Sequence, residues 1–333
     1  MRAVFLCNEA DNPARVYSVS VCELLAEKAG LRDYVYSEKD VLQQPELFAD
    51  TEYIFSTWGM PQLNEEQIRT YFPCLRCIFY AAGSVQYFAR PFLNCGVRVF
   101  SAWAANAVPV AEYTLAQIIL ANKGFYATAR LQSCGEVAAA DTLKHNYRGN
   151  YGDTVGIIGV GMIGTLVCEM LKNYNLKIKV FDPFLSEEKA ERLGVEKCSL
   201  EELFSQCCVV SNHLADNAQT KGMLNGSLFA SMRPYAVFLN TGRGAQVIED
   251  DLAAVLQKRP DLTAVLDVTM PEPPVQGHPF YTLPNCILTP HIAGSSGDEL
   301  YRMAEYMADE FIRIEDGDKC RYEVTEEMLA TMA

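Results

Sequence analysis

Ten short runs of apolar and β-branched residues, separated by longer segments with helical patterns, organise this sequence. They are AVFL at 3–6, YIFS at 53–56, CIFY at 77–80, VRVF at 97–100, VGIIG at 155–159, KIKVF at 177–181, CVVSN at 208–212, AVFLN at 236–240, TAVLD at 263–267 and CILT at 286–289. An apolar strand followed by a helix is typical of βα units in a parallel sheet that is buried on both faces. Four runs precede residue 101 and six follow residue 150, so the sequence predicts an α/β protein with two doubly wound parallel sheets.

Two long helical segments suggest how the sheets are connected. The segment 107–124 (AVPVAEYTLAQIILANKG) is apolar enough for a helix that is buried on most of its surface and ends at a glycine. A second helix, predicted over 297–316, follows the last strand and can return the chain to the first domain. We therefore predict a discontinuous domain of residues 1–101 and 297–333, with residues 102–296 inserted as the second domain.

Charge and cysteine content limit the classes of function. The chain has 28 basic and 42 acidic side chains, and its formal net charge of −14 repels nucleic acid and anionic membrane surfaces. No segment approaches the roughly 18 uninterrupted apolar residues of a membrane span, and the N-terminal apolar run is too short for a signal peptide. Twelve scattered cysteines are typical of free thiols in a reducing compartment. We expect a cytoplasmic protein with no metal site and no nucleic-acid or membrane partner.

The segment VGIIGVGMIG at 155–164 has the glycine spacing of a dinucleotide-binding motif. Gly159, Gly161 and Gly164 form GxGxxG after an apolar strand and at the start of a predicted helix. The first glycine suits a tight turn, the second lets the backbone approach a pyrophosphate, and the third allows close helix–strand packing. The pyrophosphate would lie at the helix N-terminus. The spacing alone is weak support, because a helix that packs on a sheet without a ligand can also show it.

The next strand strengthens the prediction of a dinucleotide site. KIKVFD ends in Asp182, 23 residues after Gly159, where a carboxylate can accept hydrogen bonds from the ribose hydroxyls. An acid there repels a 2′-phosphate, and the following PFLSEE contains no arginine or lysine to hold one. The sequence therefore predicts NAD as the cofactor, in preference to NADP.

Three further strand ends carry polar residues that suit one reaction. Arg243 lies between glycines in FLNTGRGAQV, Glu272 among prolines in AVLDVTMPEPP, and His291 after a proline in ILTPHIAG. Ligands of an open parallel sheet bind outside the carboxyl ends of its strands, so these loops should face the dinucleotide. Reduction of a 2-keto acid needs a hydride from the cofactor, a proton donor and a cation for the carboxylate. We expect His291 to give the proton, Glu272 to orient it and Arg243 to bind the carboxylate bidentately.

Each of these three residues also has an ordinary structural interpretation. Arg243 can form a surface ion pair, Glu272 can be a solvated loop acid, and His291 can cap a turn. Taken singly, those interpretations are the better ones. The joint occurrence of all three on strand ends behind a complete dinucleotide motif favours the catalytic interpretation.

With these motifs together, the sequence resembles the D-isomer-specific 2-hydroxyacid dehydrogenases. The likeness covers about residues 53–312 and includes the glycine motif with Asp182, NTGRGA, LDVTMPEPP, TPHIAG and ANAVPVAEYTLA. The resemblance implies a Rossmann-type NAD domain inserted into a smaller flavodoxin-like substrate domain. It also implies a homodimer and a small 2-keto or 2-hydroxy acid as substrate.

The resemblance assigns roles to individual residues. It implies that Arg243, Glu272 and His291 are the catalytic arginine, glutamate and histidine, and that Asp267 holds the nicotinamide carboxamide. The residues that it implies for cofactor binding are Gly159, Gly161, Met162, Ile163, Gly164, Asp182, Thr241 and Asp267.

Departures from the family's pattern concern the substrate. In FYAAGSVQYF, Gln86 stands where the family usually has an acid. A carboxylate could still be held there by backbone N–H groups near Ala82, Gly83 and Ser84.

The two tryptophans fall in loops that are expected near the active cleft. Trp58 in STWGMP stands about where relatives that handle phosphoglycerate carry an arginine, and Trp103 stands where proline-glycine is common. Core packing is the more ordinary role for each side chain, but together they could form an apolar wall for the substrate.

The leading prediction is an NAD-dependent reductase of small or moderately apolar 2-keto acids, and two alternatives stay open. One is an enzyme like phosphoglycerate dehydrogenase, against which Trp58 weighs because it replaces an arginine. The other is a non-catalytic, dinucleotide-sensing protein like the corepressors that share this fold. The intact trio favours an enzyme.

Overall fold

The computed structural model of the protein describes residues 2–329, and the chain divides into two compact units. Unit 1 consists of residues 1–106 and 295–333, and unit 2 consists of residues 107–294. Residues 330–333, which the predicted first domain includes, lie outside the described residues. Each unit has its own sheet.

Thirteen strands occur in the described residues. Their bounds are β1 Ala3–Leu6, β2 Val35–Tyr36, β3 Tyr53–Ser56, β4 Cys77–Tyr80, β5 Arg98–Ser101, β6 Tyr151–Ile158, β7 Asn175–Phe181, β8 Glu196–Lys197, β9 Val209–Asn212, β10 Val237–Asn240, β11 Thr263–Leu266, β12 Cys286–Leu288 and β13 Glu323–Val324. The ten predicted runs correspond to all of these except β2, β8 and β13. Those three have two residues each, which is too short for an apolar pattern to reveal.

Fifteen α-helices lie in the same residues. Their bounds are α1 Asn12–Val16, α2 Val19–Ala29, α3 Glu38–Gln43, α4 Glu65–Tyr71, α5 Ala89–Asn94, α6 Trp103–Asn122, α7 Phe125–Ser133, α8 Val137–Leu143, α9 Met162–Leu171, α10 Glu187–Leu193, α11 Leu200–Gln206, α12 Gly226–Ala230, α13 Glu249–Lys258, α14 Glu299–Asp316 and α15 Glu326–Leu329. Side-chain caps fix several starts, as at Asn64 and Ser199, where the capping oxygen accepts from the third helical N–H.

The sheet of unit 1 has the strand order β13-β5-β4-β3-β1-β2. Strands β1 to β5 are parallel and β13 is antiparallel to β5. The parallel part has the order 2-1-3-4-5, which is the flavodoxin-like arrangement. Successive residues face opposite sides of the sheet, so Phe55 and Phe79 enter one core group while Ile54 and Ile78 enter the other.

Helix α14 completes one face of unit 1. Met303, Met307 and Phe311 are fully buried in the same core group as Phe55. The ring of Phe311 lies 5.7 Å from the ring of Phe55, edge to face. Unit 1 is therefore built from two separate parts of the chain.

The sheet of unit 2 has the order β12-β11-β10-β9-β6-β7-β8, and every pair in it is parallel. Counted within the unit, this is the order 3-2-1-4-5-6-7 of a Rossmann-type sheet. The carboxyl ends of β6, β10, β11 and β12 lie at one edge of the sheet. The predicted fold class, two parallel-sheet α/β domains of which one is Rossmann-type, is confirmed.

Helix α6 starts before the predicted first residue and runs through Pro109. Ala105 belongs to the core of unit 1, whereas Ile118 and Ala121 belong to the core of unit 2. Within the described residues, α6 alone is long and apolar enough to cross a membrane, and half of its apolar window is buried. Packing in the cores explains its apolar composition.

Candidate active site

The glycine motif lies between β6 and α9. Gly159 has a φ of +84°, and a Cβ there would lie 2.8 Å from the carbonyl oxygen of His213. A Cβ on Gly164 would lie 2.0 Å from the carbonyl oxygen of Gly159, so neither position accepts a side chain. A Cβ on Gly161 would meet no heavy atom of the described residues within 4 Å. This open space beside a helix N-terminus fits the pyrophosphate of a dinucleotide.

Met162 and Ile163, which were predicted to contact the cofactor, form the first turn of α9. Their N–H groups are among the helix donors that have no acceptor inside the helix. Met162 is exposed and Ile163 is half-buried. The structure therefore places both residues beside the open space at Gly161.

Asp182 follows β7 directly and is held by two backbone groups. Its Oδ2 accepts from the N–H of Val160 at 2.7 Å, and its Oδ1 accepts from the N–H of Phe184 at 2.8 Å. Each carboxylate oxygen keeps a second lone pair for another donor. The carboxylate is thus fixed beside the glycine motif, where the sequence predicts a contact to the ribose.

A nearby cation was missed by the sequence prediction. Lys189 lies just beyond the segment PFLSEE, in α10, and its Nζ donates to the carbonyl oxygen of Val160 at 2.8 Å. Val160 is therefore held by an acid at its N–H and by a cation at its carbonyl group. The sequence prediction considered only the segment up to Glu188, and Lys189 is the next residue.

His291 and Glu272 are in contact. His291 Nδ1 lies 2.7 Å from Glu272 Oε1, and the two side chains are 46% and 40% exposed. His291 also has a φ of +54°, a left-handed conformation that costs a non-glycine residue about 1–3 kcal/mol and is concentrated at functional sites. The histidine is therefore half-exposed, with Nδ1 bound to a carboxylate and with Nε2 bonded to no group of the described residues.

A buried carboxylate holds the turn that carries His291. Asp267 Oδ1 accepts from Thr289 Oγ1 at 2.6 Å and from the N–H of Ile292 at 2.8 Å, and its Oδ2 accepts from the N–H of Ala293 at 2.9 Å. The N–H of His291 donates to the carbonyl oxygen of Asp267 at 3.1 Å. Asp267 thus fixes the backbone on both sides of His291, a role that the sequence did not predict. Its contact to the nicotinamide stays a prediction.

Arg243 follows β10 and carries a positive charge without an acidic partner. Its Nη1 donates to the carbonyl oxygen of Gly242 at 2.8 Å. Within residues 2–329 the guanidinium forms no ion pair, so the interpretation as a surface ion pair does not apply. An unpaired guanidinium is suited to bidentate binding of a carboxylate.

The loop after β10 packs directly on the segment that precedes Glu272. A Cβ on Gly244 would lie 2.0 Å from the carbonyl carbon of Thr269. Glu249 Oε1 accepts from the N–H of Met270 at 2.7 Å, and burial raises the pKa of Glu249 to about 7. The structure thus brings the loops of the predicted arginine and glutamate together.

Thr241, predicted to contact the cofactor, belongs to a buried chain of polar side chains. Its Oγ1 lies 3.3 Å from His213 Nδ1 and 3.4 Å from Thr114 Oγ1. His213 Nε2 lies 2.9 Å from Ser211 Oγ. Burial lowers the pKa of His213 to about 3, so its ring is neutral at physiological pH. The sequence gave His213 no role, although it directly follows β9.

The predicted carboxylate-binding loop lies in unit 1, after β4. The N–H of Ala82 donates to the carbonyl oxygen of Tyr80 at 2.9 Å in a tight turn. Its predicted contact to a carboxylate stays a prediction. The N–H groups of Gly83 and Ser84 have no acceptor within the described residues. Ser101 Oγ holds this loop by donating to the carbonyl oxygen of Gly83 at 2.6 Å.

The two tryptophans also lie in unit 1, in different environments. Trp58 is 42% exposed and lines a cavity of about 260 Å³ together with Arg15 and Ser295. Trp103 is half-buried, with its ring edge-on to Tyr322 at 5.9 Å. Trp103 thus packs against a neighbour, whereas Trp58 presents its ring to an open space. Their predicted contact to the substrate stays a prediction.

Comparisons with known proteins identify the family of the chain. Residues 115–293, more than half of the chain, match the family model described as "D-isomer specific 2-hydroxyacid dehydrogenase, NAD binding domain". The chain is 34% identical to the YoaD protein of Bacillus subtilis (strain 168) over 206 residues, 60% of this chain and 59% of YoaD. It is 30% identical to the D-3-phosphoglycerate dehydrogenase of the same organism over 224 residues, 67% of this chain and 42% of that protein. The matches thus span about half of the length of these relatives.

A solved structure shows the same fold. The apo form of D-mandelate dehydrogenase from Rhodotorula graminis has a TM-score of 0.79 and 20% sequence identity, and the match covers 98% of each chain. At this identity the likeness concerns the fold alone. The match of the NAD-binding domain confirms the predicted cofactor, NAD, and the chain belongs to the D-isomer specific 2-hydroxyacid dehydrogenase family.

Proposed function

We propose that this protein interconverts a 2-keto acid and the corresponding D-2-hydroxy acid with NAD(H). The observation that carries the proposal is the 2.7 Å pair of His291 Nδ1 and Glu272 Oε1 at the same sheet edge as the glycine motif. Arg243, unpaired at the end of a neighbouring strand, supplies the positive charge that an anionic substrate needs in a chain with a net charge of −14.

Each residue has one task in the reduction. Bound NADH supplies the hydride to the carbonyl carbon. Arg243 binds the carboxylate and polarises the carbonyl group. His291 donates the proton on Nε2 to the carbonyl oxygen, which becomes the hydroxyl group, and the half-exposed ring then regains a proton from solvent. Glu272 accepts from Nδ1–H and so keeps Nε2 directed at the substrate.

For the substrate, we propose small or moderately apolar 2-keto acids. The exposed ring of Trp58 supports an apolar wall, and no arginine occupies its position. Free N–H groups at Gly83 and Ser84 support a second contact to a carboxylate. The similarity to a phosphoglycerate dehydrogenase keeps phosphorylated acids as the second candidate.

The test is a panel of 2-keto acids with NADH, in which the oxidation of NADH is followed by absorbance. The panel contains glyoxylate, hydroxypyruvate, phenylpyruvate and phosphohydroxypyruvate, with NADPH in parallel. We expect turnover with NADH, and His291→Ala should lower kcat by about 1,000-fold because it removes the proton donor. Turnover that survives this change would contradict the mechanism. Tight NADH binding without turnover on any acid would favour a dinucleotide sensor.

We also propose that the protein is a cytoplasmic homodimer. Helix α7 has no buried residue, and Phe125, Val137 and Leu120 are exposed apolar side chains on or beside it, as expected of a surface that a second copy covers. All twelve cysteines are free, which suits a reducing compartment. Analytical ultracentrifugation tests the dimer, and a monomer at micromolar concentration would contradict it.

A further inference from the structure

Three buried side-chain amides lie next to the loop of Arg243 and form one connected group, the amide cluster of Asn212, Asn240 and Gln246. Each is at most 1% exposed. Asn212 Nδ2 donates to Asn240 Oδ1 at 2.9 Å and to Gln246 Oε1 at 2.6 Å. A buried amide is costly unless its donors and acceptors have partners. The other partners of the cluster therefore indicate what it is for.

The cluster binds the backbone of Arg243 on both sides. Gln246 Oε1 accepts from the N–H of Arg243 at 3.1 Å, and Asn240 Nδ2 donates to the carbonyl oxygen of Arg243 at 3.2 Å. Asn240 Oδ1 also accepts from the N–H of Gly242 at 3.1 Å. The backbone around the arginine is thus held by side chains.

The far side of the cluster is attached to the sheet. Asn212 and Asn240 are the last residues of the neighbouring strands β9 and β10. The N–H of Leu214 donates to Asn212 Oδ1 at 3.2 Å, and Gln246 Nε2 donates to the carbonyl oxygen of Leu214 at 2.7 Å. The arginine loop is therefore tied to two strand ends, which are the most rigid supports available.

The packing leaves this loop little freedom. A Cβ on Gly242 would lie 2.9 Å from both Asn212 Nδ2 and Gln246 Oε1. The guanidinium of Arg243 forms one hydrogen bond within the described residues, to the carbonyl oxygen of Gly242, and no ion pair. The direction of its long side chain therefore depends on the backbone that the amides hold.

We propose that Asn240 and Gln246, joined by Asn212, are positioning residues that hold Arg243 where it binds the substrate carboxylate. This inference rests on the proposed function. The three residues act through Arg243. Neutral amides suit this task because a carboxylate in their place would offset the charge of Arg243 and repel the substrate.

The test uses a substitution that breaks one contact and a control that matches it. Asn240→Asp keeps the oxygen that accepts from Gly242 and Asn212 but replaces the nitrogen that donates to Arg243. Asn285→Asp makes the same change at another buried amide of unit 2, whose Nδ2 donates to three backbone carbonyl groups before β12. Gln246→Met is the second variant and removes the contact to the N–H of Arg243 while keeping the side-chain length.

We expect Gln246→Met, which leaves the charge unchanged, to lower kcat/KM for the 2-keto acid by about 100-fold, because small displacements of a binding group have effects of this size. Asn240→Asp should lose at least as much, because it also places a carboxylate beside Arg243. The Kd for NADH should stay within about twofold of the wild type. Asn285→Asp should lower thermal stability but leave kcat/KM nearly unchanged. Equal losses of kcat/KM in Asn240→Asp and Asn285→Asp would overturn the inference.

A double-mutant cycle separates positioning from general destabilisation. In an Arg243→Gln background, Gln246→Met should lower kcat/KM by less than about a further twofold, because the effects of residues that act as one unit are not additive. A full additional loss would contradict a role through Arg243.

Hydrogen exchange gives a readout without activity. The amide of Arg243 should exchange faster in Gln246→Met than in Asn285→Asp, whereas equal rates would overturn the inference. If the wild type showed no turnover, the proposed function would fail and this measurement would still decide whether the cluster holds the loop.

Discussion

The loop of Arg243 and the turn of His291 follow neighbouring parts of one sheet edge, yet they are held by opposite kinds of group. Neutral amides bind the backbone of Arg243. An anion, Asp267, binds the backbone around His291, and a second anion, Glu272, binds its ring. Both supports hold the backbone through hydrogen bonds, but they differ in charge.

The difference fits the task that we propose for each residue. A guanidinium that forms no ion pair within residues 2–329 keeps its attraction for an anionic substrate. Glu272 binds Nδ1 of His291 and so leaves Nε2 as the ring nitrogen that can exchange a proton. The two supports thus separate the substrate-binding side of the site from the proton-donating side.

Replacing the anion under the His291 turn should have the largest effect. Asp267→Asn removes the charge and turns an NH₂ group towards the N–H of Ile292 or Ala293, so one hydrogen bond becomes a repulsion. We expect the free energy of unfolding to fall by about 3 kcal/mol, since hydrogen bonds to charged groups contribute about 1.5–3 kcal/mol each. In addition, kcat/KM should fall by about 100-fold as the turn moves. Denaturant unfolding and steady-state kinetics measure the two losses.

Asp153→Asn is the matched control for this variant. Asp153 is another buried carboxylate of unit 2, and it accepts from Arg233 Nη1 at 2.8 Å and from the N–H of Thr154 at 2.9 Å. It lies towards the start of β6, at the opposite end from the glycine motif. We expect it to lose stability and keep kcat/KM. Equal kinetic losses in both variants would mean that the anion near His291 has no special role.

The sequence predicted the parts of the site that local patterns encode. Apolar runs located the strands, the glycine spacing located the turn before α9, and polar residues at strand ends located Arg243, Glu272 and His291. These signals work because strand, turn and loop preferences act over a few neighbouring residues.

The supports of the site could not be predicted in this way, because they join residues far apart in the chain. Asn212 meets Gln246 only because β9 and β10 are neighbours in the sheet. Asp267 meets the residues after His291 only because β11 pairs with β12. The left-handed backbone of His291 likewise follows from these contacts. These contacts depend on the order of the strands in the sheet, which no single segment of the sequence reveals.

A lower pH should destabilise the folded protein through His213, which contacts Thr241 in the loop of Arg243. In the unfolded chain the pKa of His213 has its ordinary value of 6.5, whereas burial lowers it to about 3 in the folded state. The stability that neutral His213 provides is therefore complete above pH 6.5 and decreases as the pH falls towards 3. Between pH 7 and pH 5 we expect a loss of about 2 kcal/mol, at about 1.4 kcal/mol per pH unit below 6.5.

His213→Gln tests this prediction, because glutamine offers a donor and an acceptor to Ser211 and Thr241 but does not titrate. The free energy of unfolding of this variant, measured at pH 7 and pH 5, should lack the loss that the wild type shows. His145→Gln, at an exposed histidine, should behave like the wild type. If His213→Gln and the wild type lost equal stability between the two pH values, His213 would not be the acid-sensitive group.

Replacing the second anion should have the smallest effect and should separate charge from orientation on the His291 side. Glu272→Gln keeps an acceptor for His291 Nδ1–H but removes the negative charge, so we expect kcat to fall about tenfold, or about 1.4 kcal/mol in the barrier. The pair is 46% and 40% exposed, so solvent screening should keep the change in unfolding free energy below about 1 kcal/mol. Glu272→Ala removes both charge and acceptor and should lose more. If Glu272→Gln had the kcat of the wild type, the role of Glu272 would be orientation of His291 alone. The negative charge on the His291 side would then matter only at Asp267.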